Sequence, residues 1–100
     1  MTPTPGAAHE TVGTELERVV RRWQQLPLDH ALSRVPVVRD LVQTLADGVA
    51  DAEGRARVEV PDLGPAVLLE QLKVMVYDHQ QAGLPTKELA ARLTALRRSL

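Results

Sequence analysis

Cysteine and phenylalanine are absent, and the only aromatic side chains are Trp23 and Tyr77. Without a thiol there is no disulfide, no thiolate metal site and no cysteine nucleophile. With so few aromatics, the core has to be built from Leu, Val and Ala, and single-stranded bases have little to stack on. Charge of one sign is lacking too: 12 Lys and Arg stand against 13 Asp and Glu. The first fifty residues carry five basic and six acidic groups, the second fifty seven of each. A general nucleic-acid binder needs a basic field that neither half supplies. Long hydrophobic runs are also missing. The most apolar stretch, 63–77, contains Glu70 and Lys73 and is too short and too charged to span a bilayer. The opening MTPTPGAAHE has neither the basic nor the apolar region of a secretory signal. Residence in the cytoplasm, with no membrane partner, is the expectation.

What remains is a chain of 100 residues, 44% of them hydrophobic, enough for one small domain of modest stability. Residues 1–10, with Pro3, Pro5 and Gly6, read as a disordered N-terminal tail, and 11–100 as a single helical domain. Thr11 is placed to cap a first helix whose apolar stripe is Val12, Leu16, Val19, Trp23 and Leu26, ended by Pro27. Glu15, Glu17, Arg18, Arg21 and Arg22 are assigned to the remaining surface of this helix. Asp29 can cap a short segment to about Arg34, and Pro36 then forces a kink or a fresh start. Val38, Leu41, Val42, Leu45 and Val49 form the next stripe. Another helix opens at Gly64 and Pro65 and stops at Gly83 and Pro85; the last, capped by Thr86, has the stripe Leu89, Leu93, Leu96 and Leu100. The fold expected is mostly α: an irregular bundle of three long helices and one short helix, with the helix after Gly64 at its centre and one extended segment near 55–61.

No catalytic, cofactor-binding or metal-ligating set emerges. His30 and His79 each follow an Asp, but neighbours on a helix point about 100° apart and make no dyad. His9 falls in the tail, and no ligand spacing such as HExxH is present. His79 shares a face with Leu68, Leu72, Met75 and Val76. It reads as a half-buried histidine with a satisfied hydrogen bond, the sharper alternative being a pH-sensitive contact. Opposite that face lie Val67, Val74 and Tyr77. A helix apolar on two sides is either sandwiched within its own domain or turned toward a partner.

The segment GRARVEV alternates Ala56, Val58 and Val60 with Arg57 and Glu59, the period of a strand. No second strand is evident to pair with it. Two solutions follow: a covering loop with Val58 and Val60 in a groove and a hydrated main chain, or pairing with a second copy, Arg57 opposite Glu59. The candidate partner surface is therefore Val58, Val60, Val67, Val74 and Tyr77. Residues 60–79, VPDLGPAVLLEQLKVMVYDH, resemble a stretch of small uncharacterised helical proteins of GC-rich bacteria, a resemblance that implies no activity and no site residue. The function expected is that of a small non-enzymatic interaction or accessory domain, self-associating or bound to another protein. The alternative is a nucleic-acid-binding regulator.

Overall fold

A computed structural model of the chain describes the main chain of residues 5–100 and the side chains of residues 11–100. It contains four helices, α1 (Pro5–Gln25), α2 (Leu28–Ala52), α3 (Pro65–Gln81) and α4 (Thr86–Ser99), and no strand among the described residues. Helix α1 opens at Pro5, six residues ahead of the expected Thr11 cap. Proline at the first helical position gives up an N–H that has no partner there anyway. Residues 1–4 of the expected tail, and the side chain of His9, lie outside the described residues.

Pro36 does not divide α2, which runs through it for 25 residues. Proline removes the bond to the carbonyl four residues earlier. That carbonyl belongs to Leu32, and Leu32 and Pro36 are both exposed, so water can take the freed acceptor. The short segment expected near 29–34 is simply the first two turns of α2.

The core is shared by all four helices: Val12 and Val19 from α1, Val38, Val42 and Leu45 from α2, Leu68 and Leu72 from α3, and Leu89 and Leu93 from α4. The expected apolar stripes therefore face inward. Helix α3 is not the sandwiched centre, because its second stripe is open: Val74 is 53% and Tyr77 61% exposed. Instead α3 packs mainly on α2, and α1 on α4.

Helix directions follow from which residues meet. Leu68 and Gln71 share a hollow with Arg39, Val42 and Gln43. Further along, Met75 and Asp78 share one with Ala46, Val49 and Ala50. Numbers rise together, so α2 and α3 run parallel. Glu15 meets Arg97 at 3.2 Å and Arg22 meets the Leu100 carbonyl at 3.4 Å, so α1 and α4 also run parallel. Leu84 lies against Gly48, and the His30 ring bonds the Leu100 carbonyl at 3.0 Å. Helix α4 therefore runs back along α2.

Two consecutive parallel helices need a long return connection. Arg55 N–H is bonded to the Ala50 carbonyl, and Asp62 is paired with Arg39. The chain must cover eleven helical residues, about 16 Å at 1.5 Å per residue. The seven steps from Arg55 to Asp62 would give about 10 Å as helix but up to about 23 Å extended. A helix over these steps would fall short, and the stretch of residues 55–64 forms neither helix nor strand. Glycines with positive φ stand at its two ends, Gly54 at +67° and Gly64 at +93°, conformations that side chains with a Cβ rarely adopt.

Candidate protein-binding groove

The return strap has no strand beside it, and its main chain is only partly left to water. Gln43, on α2, takes the place of a neighbouring strand. Its Oε1 accepts the Val60 N–H at 2.8 Å, and its Nε2 donates to the Val58 carbonyl at 3.1 Å. The same Nε2 donates to Asp47 at 2.8 Å, which orients the amide. Arg39 donates to the Val60 carbonyl at 3.4 Å, and Gln71 of α3 donates to the Pro61 carbonyl at 2.9 Å. Arg57 is tied down by Asp51 through two bonds, Nε at 3.0 Å and Nη2 at 2.7 Å. The Arg57 hydrogen bond holds the Asp51 carboxyl below its usual range, and the same contact raises Arg57.

The strap lies over α2 and leaves a hollow on each side. One, of about 400 Å³, is polar, with Arg39, Gln43, Asp47 and Arg57 in its lining. The other, of about 550 Å³, is a mostly apolar groove between the strap, the second half of α2 and α3. Ala46, Val49, Val60 and Met75 contribute to its floor, and Val58, Leu63, Val67 and Val74 to its walls. Val58 and Leu63 are 73% and 63% exposed.

Four of the five residues expected to form a partner surface, Val58, Val60, Val67 and Val74, therefore meet at one groove. Val58 and Val60 do not share a fate: Val60 packs against the core, while Val58 stands out toward solvent. Tyr77 lies outside the lining, exposed on α3 one turn beyond Val74. The pairing of Arg57 with Glu59 of a second copy loses its cation, since Arg57 is already bound by Asp51. Leu63 and the orienting role of Gln43 were not foreseen. Leu63 was legible as the apolar residue just before the Gly64 helix start, whereas Gln43 carried no signal.

Charge around the groove is uneven. Arg55 is paired with Glu53 at 2.7 Å, and Glu70 with Lys73 at 3.0 Å. Glu59 and Asp78 also line the groove, and neither carboxylate meets a cation among the described residues. The rim is therefore acidic.

The histidines stand apart from this groove. His30 contacts Leu100, as above. His79 is half-buried, and its Nδ1 is buried without a hydrogen-bond partner, contrary to the satisfied contact expected. Burial holds the ring below its ordinary pKa, the nearby Glu88 charge opposing and the Arg92 charge adding to that shift. Glu15, expected on the surface, is buried. It lies three residues from Val12 and four from Val19, on the same face. It is bonded by Arg18 at 2.9 Å and Arg97 at 3.2 Å. Among the described residues no cluster of His, Asp and Glu is suited to a metal ion, and no helix is long and apolar enough to cross a membrane. The chain matches no protein-family model, no curated protein and no solved structure.

Proposed function

We propose that the chain is a non-enzymatic protein-interaction domain, resident in the cytoplasm, and that the groove between the strap and α3 is its working surface. The observation that carries this reading is the convergence of Val58, Leu63, Val67 and Val74, all exposed, on one hollow of about 550 Å³. The same chain closes its core fully at Val19, Val38, Leu72, Leu89 and Leu93, so folding alone gives no reason to leave four large aliphatic side chains in water. Contiguous apolar surface of this kind marks interaction sites, and the volume falls within the range of binding clefts, roughly 300–1,000 Å³.

Self-association is the narrower form of this reading. A symmetric pairing of straps is disfavoured by the bond between Arg57 and Asp51, and light scattering over a concentration series decides it. Nucleic-acid binding gains little support from the arginines, of which Arg21, Arg22, Arg34 and Arg98 face no carboxylate among the described residues. Arg18, Arg39, Arg55, Arg57, Arg92 and Arg97 each face a carboxylate.

Quantitative affinity capture tests the proposal. Val74→Glu places a charge in the groove at an exposed position, and Ala91→Glu does the same on exposed α4. The reading expects a protein held by the wild type and by Ala91→Glu but lost by Val74→Glu, with helicity unchanged in all three. Equal capture by the wild type and Val74→Glu would overturn it.

A further inference from the structure

We propose that the groove receives an extended segment of a partner protein, which adds as a strand to the outer edge of the strap and carries Lys or Arg beside alternating apolar residues. This inference rests on the reading of the groove as an interaction surface and names the occupant.

The main chain of the strap supplies the first observation. Gln43 bonds the Val58 carbonyl and the Val60 N–H, which lie on one edge of an extended chain. In such a chain the groups of successive residues point to opposite edges. The N–H and C=O of Arg57 and Glu59 therefore form the other edge, and they have no hydrogen-bond partner among the described residues. The main chain of the strap is bonded on one side by a side chain and open on the other. An open edge of this kind is a template for pairing with another chain. Strand addition draws affinity from main-chain bonds and specificity from pockets for alternate side chains. The apolar groove lies alongside to supply those pockets, with Val67 and Val74 on its far wall.

Charge selects the occupant. Glu59 and Asp78 line the groove without a cation of their own, so a Lys or Arg on the incoming segment completes them. A second copy of the strap does not. Its cations, Arg55 and Arg57, are already held by Glu53 and Asp51, and it would bring a further Glu59 to an acidic rim. Like charges brought together at an interface disfavour that partner.

The test uses the full chain, labelled with ¹⁵N, and synthetic nonapeptides that alternate valine with threonine and carry either Lys or Glu at both ends. The Lys-flanked peptide should shift the signals of Val67 and Val74. It should also slow hydrogen exchange of the Arg57 and Glu59 amides, and bind about tenfold or more tightly than the Glu-flanked peptide. Glu59→Lys, at an exposed position, should reverse that preference. Groove signals that shift while the Arg57 and Glu59 amides stay unprotected overturn strand addition and leave the groove itself standing as an interaction surface. Equal binding of the two peptides overturns the charge assignment. Absence of any shift overturns this proposal, while the comparison of wild type with Val74→Glu in capture judges the broader reading separately.

Discussion

The side-chain amide of Gln43 and the main chain of Val60 are joined as two strands would be, with Oε1 accepting the Val60 N–H at 2.8 Å. Nε2 donates two residues back to the Val58 carbonyl at 3.1 Å. One side chain thus fixes the strap that allows α3 to run parallel to α2, and with it one wall of the groove.

Replacement of Gln43 separates the two bonds. Gln43→Leu loses both, with an expected destabilisation of about 1–3 kcal/mol and rapid hydrogen exchange at the Val60 amide. Gln43→Glu keeps an acceptor for Val60 but cannot donate to Val58, and it sets a second carboxylate against Asp47. It should retain part of the Val60 protection. Exchange measured by NMR checks both, and unchanged protection in Gln43→Leu would show that the strap is held by other contacts.

The core depends on the inward stripe of α3. Leu72 is fully buried in the shared cluster, so Leu72→Ala should cost about 2–5 kcal/mol, a large share of the stability of so small a domain. Urea denaturation measures it, and a loss under about 1 kcal/mol would contradict the packing described.

Acid should weaken the fold in two stages. Folding holds His79 below its ordinary value of 6.5, so below that pH the unfolded chain takes up the proton first and stability falls as pH drops toward the folded value. Burial pushes the Glu15 carboxyl up, but bonds from Arg97 and Thr94 and the charges of Arg97 and Arg18 outweigh it and leave it below its ordinary 4.5. Its contribution is therefore complete above that value and is lost on further acidification. Thermal denaturation across pH should show both limbs. His79→Gln should flatten the first and leave the second.

Much of this arrangement was legible in the sequence. The stripes on α1, α2 and α4, the inner stripe of α3 and the Gly64–Pro65 start follow from helical period and backbone chemistry. The alternation at 56–60 is likewise a local signal, and it sets these residues apart from the helices, none of which includes them. The rest depends on which elements meet. Nothing in the local sequence says that α3 runs parallel to α2, so the choice between a sandwiched α3 and one that turns Val74 and Tyr77 outward stayed open. Pro36 read as a kink or a fresh start, and the helix continues through it, because its cost depends on whether water reaches the Leu32 carbonyl, a property of the folded surface. Glu15 read as surface because its partner Arg97 lies 82 residues away.

The balance of 12 basic against 13 acidic side chains predicts only weak, non-specific association with duplex DNA at moderate salt. A gel-shift titration checks this, and tight binding that falls steeply with added salt would promote the nucleic-acid-binding alternative.

The claim that the groove is the working surface is tested most directly by site-specific photocrosslinking in the cell that makes the protein. A photoreactive phenylalanine analogue placed at Val74, in the groove, should yield a discrete heavier product on illumination, and the same analogue at Ala91, exposed on α4, should not. No product from Val74, or the same product from both positions, would contradict the account.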